Sequence, residues 1–176
     1  MLIIPGNHDF GAGENDFKIP ETVTEIGDFA SDSTAMIIPG VNLQKKVLVS
    51  FSGSESATYV FVEVILSGKW DMRDDYKSFM EGGGRLQWAV DSNWTLVEAT
   101  PSIGRYVFYR ELAPNDQSLK NGVDFIANDG IISVSENITK NEINSMTGIG
   151  IKLRALVVQS NGFAGPGAAW TSVSSK

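Results

Sequence analysis

Cysteine is absent from the 176-residue sequence, which excludes a disulfide framework, thiolate catalysis and thiolate metal ligation. Histidine occurs once, as His8 beside Asp9. Zinc hydrolases commonly draw two or three ligands from histidine, and helical zinc proteases need His-Glu-x-x-His, which does not occur. A Ser-His-Asp triad would also have to recruit His8, and no Gly-x-Ser-x-Gly elbow presents the serine. His8 therefore reads as a surface residue. No uninterrupted apolar run reaches the roughly 18 residues a bilayer span requires. The start of the chain lacks a charged segment followed by an apolar one, so an exported form is expected to have had its signal removed or replaced ahead of Met1. Cations are also scarce: 14 Lys and Arg stand against 21 Asp and Glu, for a net charge of −7 and a pI near 4.7. They are scattered apart from the Lys45-Lys46 pair. Nucleic acid is thereby excluded as a partner, because binding a polyanion needs a concentrated cationic face.

What the sequence does contain is ordinary globular composition, 42% hydrophobic and 20% charged, enough for one domain with a sizeable core. Short β-rich runs recur between Gly, Ser, Asn and Asp clusters: "KKVLVSF", "ATYVFVEVIL", "RLQWAV", "WTLVEA", "RYVFYREL", "GIISVSE" and "GIKLRALVVQ". Such a series predicts an antiparallel sandwich. In "ATYVFVEVIL", Val60, Val62, Val64 and Leu66 share one face and Tyr59, Phe61, Glu63 and Ile65 the other. In "IKLRALVVQ", Ile151, Leu153, Ala155 and Val157 alternate with Lys152 and Arg154. Period two predicts one face on the core and one partly wet. Apolar residues at Met72, Tyr76, Phe79 and Met80 have helical spacing. Thr139 followed by Glu142 is a capping box for a helix carrying Ile143 and Met146. Pro166 can begin a helix but not sit inside one, so any terminal helix is short. Residues 1–35, with only Ile3-Ile4 and "ETVTEI" suggesting strands, form an N-terminal segment, and residues 36–176 the β domain.

The remaining candidate sites have plainer structural explanations. Asp71, Asp74 and Asp75 offer carboxylates of the kind calcium prefers, but acidic residues also suit the first turn of a helix, and no EF-hand spacing is present. "EGGGR" at 81–85 precedes a strand rather than a helix bearing Lys and Ser or Thr, so it reads as a linker and not a phosphate cradle. "NDG" at 128–130 has the residue types of a hairpin turn. Asn93-Trp94-Thr95 and Asn137-Ile138-Thr139 are sequons that matter only in a eukaryotic secretory pathway. Trp70, Trp88, Trp94 and Trp170, with Tyr106, Phe108 and Tyr109, offer the aromatics of a carbohydrate platform, against the alternative of sheet and core packing. The string Ile-Ile-Pro-Gly appears at residues 3–6 and again at 37–40 and reads as two strand ends running into turns.

Several stretches taken in order resemble one family. "IIPG" before a polar strand, "ATYVFVEVIL", "WTLVEATPSIGRYVFYRELAPND", "SENITKNEINSM" and "IKLRALVVQSNGF" followed by "AAW" are similar to the TasA/camelysin-like proteins of Gram-positive bacteria. Those proteins are exported through a dedicated SipW-type signal peptidase. The resemblance spans residues 36–171. It implies an all-β, jelly-roll-like antiparallel β-sandwich with two or three short helices in the connections. It also implies secretion to an extracellular location, and assembly into matrix fibres with copies of itself, head to tail, or with related matrix proteins. In fibre-forming members the N-terminal segment of one subunit completes the sheet of the next. Here "MLII", stopped by Pro5-Gly6, supplies the matching strand: Leu2 and Ile4 on one face, Ile3 on the other, with Gly11 and Gly13 behind it as a swivel. Pairing of "MLII" within its own sheet is the alternative. The expectation is a structural subunit with no catalytic residue, metal or cofactor. A camelysin-like metalloprotease and a carbohydrate-binding sandwich are the competing readings.

Overall fold

The computed structural model describes residues 21–27, 36–67, 86–145 and 150–174. Among them, nine strands build two antiparallel sheets. The first runs β1 (Glu21–Gly27), β2 (Leu43–Phe51), β8 (Ile131–Val134) and β4 (Leu86–Gln87), with β7 (Val123–Asp124) also on β2. The second runs β5 (Thr95–Thr100), β6 (Arg105–Leu112), β3 (Thr58–Ser67) and β9 (Gly150–Gln159). Each of the seven β-rich runs contributes a strand, and "ETVTEI" forms β1. The two-residue β7 carries no period for a sequence to show. The helices are short. The Lys140–Ser145 helix begins with the expected box: the Thr139 amide donates to Glu142 Oε2 (2.7 Å), and the Glu142 amide to Thr139 Oγ1 (3.2 Å). Such a cap is worth about 1 kcal/mol. A closing helix spans Pro166–Ser174, short as Pro166 demands. The apolar stretch around Met72–Met80 lies outside the described residues, as does Met146.

The arrangement is sandwich-like because the inner faces of both sheets share one core. Leu43, Val47, Val49 and Phe51 of β2 and Ile132 and Val134 of β8 meet Val60, Val62, Val64 and Leu66 of β3, Tyr106 and Phe108 of β6, and Ile151 and Leu153 of β9. Burying each of these large side chains is worth roughly 1.5–3 kcal/mol. The alternation read in β3 and β9 is the one observed. The expectation that the opposite face stays partly wet fails for β3: Tyr59, Phe61 and Glu63 are all buried. The closing helix lies there, and Ala169 and Trp170 pack with Tyr59, Phe61, Val107 and Val158 into a second apolar cluster.

"NDG" does not form a hairpin. β7 and β8 both run antiparallel to the same side of β2, with Val49 opposite Val123 and then Leu43 opposite Ile132. One strand is therefore interrupted by a left-handed turn and resumes in the same direction. Asn128, Asp129 and Gly130 take φ of 55°, 57° and 79°. The residue types correctly called for positive φ, but neighbours on both flanks hold the chain's course. The Val90–Ile126 bridge and the Leu86–Val134 pair secure the far side, in the manner of an enlarged bulge. Lys46 pairs with the Asp129 carboxylate, and Gln44 Nε2 donates to the Asp129 carbonyl (3.3 Å). The second Ile-Ile-Pro-Gly copy also departs from expectation. The turn forms, with the Val41 amide donating to the Ile38 carbonyl (3.1 Å), but residues 36–38 are not strand, so this copy precedes β2 rather than ending one. The first copy lies outside the described residues.

A Cβ at Gly130 would fall against the Lys45 carbonyl and 2.7 Å from Lys46 Cα, in a left-handed conformation. Gly130→Ala should therefore cost more than about 2 kcal/mol in urea unfolding. Gly167→Ala, in the closing helix with Val97 Cγ2 at 3.9 Å and no strained φ, should instead stabilise by about 0.5–1 kcal/mol. A second outcome concerns pH. The hydrogen bond to Asp129 raises the Lys46 ammonium above the ordinary lysine value, with attraction from Asp124 added and desolvation opposing. Because the folded-state value is the higher one, the pair's contribution is fully present below about pH 10.4 and is lost as pH rises through the raised value. Melting curves of wild type and Lys46→Met should differ at neutral pH and converge as pH rises through the raised Lys46 value.

Candidate functional site

Among the described residues, the outer face of the second sheet carries a linked network of charged side chains. Glu63 sits mid-strand in β3 directly opposite Arg154 of β9, and Arg105 opens β6 beside them. The Glu63 side chain is only 4% exposed. Arg105 Nε donates to Glu63 Oε1 (2.6 Å), and Arg105 Nη1 lies 3.3 Å from Glu98 Oε1 of β5. Arg154 Nε is 2.8 Å from Glu63 Oε2, yet that nitrogen makes no hydrogen bond, so the contact is an ion pair without the directional component. The network then reaches the closing helix: Trp170 Nε1 donates to Glu98 Oε2 (3.1 Å), and the Arg105 guanidinium lies 5.5 Å from the Trp170 ring centroid. A cation over an indole face adds attraction beyond packing.

Two guanidiniums and two carboxylates cancel, so the cluster offers no net charge to recruit an ion. Its chemistry is that of a clamp holding the helix to the sheet. Sequence reasoning assigned Glu63 to the outward face without assigning it partners. The available signal was a lone carboxylate in an otherwise apolar run, which burial makes costly unless cations answer it.

The residues singled out for other chemistry do not gather. Trp88, Trp94, Trp170, Tyr106 and Phe108 are buried, and Tyr109 is half-buried against the second cluster. They pack rather than form an exposed platform: Trp94 and Phe108 both meet Phe125 edge to face, with centroids 5.5 Å apart. Trp70, His8, Asp71, Asp74, Asp75 and the "EGGGR" stretch lie outside the described residues, and so do Leu2, Ile3 and Ile4. Among the described residues, no group of three or more His, Asp or Glu side chains is placed to hold a metal ion. No helix among them is long and apolar enough to cross a membrane.

The sheet margins are the other feature with binding chemistry. In the second sheet β5 is a short edge with an irregularity between Leu96 and Glu98. β9 is a long edge, all ten residues registered with β3 and no bulge. Among the described residues β9 has no second ladder. β1, the edge of the first sheet, comes close to β9 without pairing to it.

These features define a mostly β, two-sheet, sandwich-like domain with a helix clamped to one outer face. No protein-family model matches the chain, and no curated protein matches it.

Glu63→Gln would leave two guanidiniums facing a neutral amide. The cost should be about 2 kcal/mol in urea unfolding, below that of a fully buried pair because both arginines keep partial access to water.

Proposed function

We propose that the chain is a secreted structural subunit of an extracellular matrix or surface filament, assembling by strand addition between subunits and carrying no reaction of its own. The single observation behind this reading is the outer margin of β9, ten residues long, regular and without a second backbone partner among the described residues. An edge of this kind presents unpaired donors and acceptors to any incoming extended segment. Strand addition draws affinity from main-chain hydrogen bonds and selectivity from alternate side-chain pockets. The resemblance to the TasA/camelysin-like proteins supports the same reading, and the jelly-roll connectivity and extracellular location belong to the proposal. Leu2, Ile3 and Ile4 are the donor residues in it. A donor from one copy entering the edge of the next makes a heterologous contact that does not close, so it propagates into a filament.

Removing residues 1–10 tests the proposal. Light scattering of the intact chain should report growing polymer mass, and the shortened chain should remain at subunit mass under the same conditions. Undiminished growth of the shortened chain would eliminate the donor role of Leu2, Ile3 and Ile4.

A further inference from the structure

An asparagine followed by glycine carries latent reactivity, because glycine has no Cβ to shield its amide nitrogen from the carboxamide carbon of the residue before it. The sequence holds this pair twice, at Asn121-Gly122 and Asn161-Gly162. The fold treats the two differently. The Gly122 amide donates to the Leu119 carbonyl (3.1 Å), Gly122 is half-buried, and a Cβ there would stand 3.4 Å from that of Leu48. A nitrogen so engaged must give up its hydrogen bond before it can react.

Asn161 and Gly162 are both exposed, and a Cβ at Gly162 would meet no atom within 4 Å. With φ of 92° at Gly162, the pair fills the central positions of a tight turn between β9 and the closing helix. That turn is held by its flanks. The Ser160 amide donates to the Ala57 carbonyl (2.8 Å), the Phe163 amide donates to the Ser160 carbonyl (3.3 Å), and Phe163 packs in the second apolar cluster. The Gly162 amide donates to no backbone carbonyl among the described residues.

We infer that Asn161 is a site of spontaneous deamidation in the folded protein and that the fold protects Asn121. The Gly162 nitrogen loses its proton to hydroxide and attacks Cγ of Asn161. The new N–C bond closes a succinimide ring as the carboxamide C–N bond breaks and ammonia leaves. Water then opens either imide carbonyl, giving aspartate or isoaspartate at position 161. The net change consumes the side-chain amide and one water and yields a carboxylate and ammonium. Either product adds negative charge to a chain already at −7. Isoaspartate also inserts an extra atom into the backbone between the points anchored at Ser160 and Phe163, at the foot of the closing helix. Strand addition plays no part in this chemistry, so the inference stands apart from the proposed filament.

The test holds the full chain folded at mildly alkaline pH beside a parallel sample unfolded in guanidinium chloride. Both are digested, and the peptides carrying positions 121 and 161 are followed by mass, with isoaspartate separated by chromatography. In the folded chain, conversion at 161 should run on the order of tenfold faster than at 121, the factor set by the hydrogen bond that Gly122 must break. Its rate should rise with hydroxide concentration. In the unfolded chain that bond is gone, and the two rates should converge. Asn161→Gln, whose longer side chain cannot close the same ring, should leave position 161 unconverted over the same period. Conversion at 121 as fast as at 161 in the folded chain, no conversion at 161 there, or a ratio that survives unfolding would overturn the inference.

Discussion

The constraint on which the structure depends is that β3 is apolar on both faces. Val60, Val62, Val64 and Leu66 demand one cover, and Tyr59, Phe61 and the carbon stem of Glu63 demand another. A strand with two-residue periodicity cannot hide both sets in a single core. The first set is answered by the facing sheet and the second by the closing helix. Glu63 is the exception inside this scheme, a carboxylate in a place where water is excluded, and it obliges Arg105 and Arg154 to stand beside it. Because Arg105 also reaches Glu98 and lies over Trp170, the charge requirement of one strand becomes the means of seating a helix.

With both faces covered, the margins are the part of the second sheet that has no second backbone partner among the described residues. β5 is blunted by brevity and an irregular register, which is how edges are commonly protected. β9 is neither short nor bulged, and β1 stands near it without completing a ladder. In the proposed filament that margin is where a neighbouring chain adds its strand. The faces are satisfied by packing within the chain, and in the proposed filament the margin is satisfied by backbone pairing between chains.

Much of the strand content was legible because two-residue alternation is local. The faces of β3 and β9, the Thr139–Glu142 cap and the limit Pro166 sets on the last helix all follow from neighbours within a few positions. What was not legible depends on distant partners. "NDG" has the right residues for a hairpin, yet strands on both flanks convert the same left-handed conformations into an interruption of a continuing strand. The aromatic residues invited a platform reading because their burial is decided by elements far along the chain. Trp170 meets Phe61 across a separation of more than a hundred residues. Glu63 was seen as an outward residue, and its partners were not, because Arg105 and Arg154 arrive from strands that sequence spacing does not connect to it.

The most direct measurement of the central claim is amide hydrogen exchange of the assembled protein against the free subunit, resolved at β9 and β1. Assembly by strand addition predicts that margin amides which exchange rapidly in the subunit become protected in the filament, while those of β3 and β6 are already protected and change little. Filaments whose β9 and β1 amides exchange as fast as in the subunit, or a protein that remains a single subunit at every concentration tried, would contradict the account.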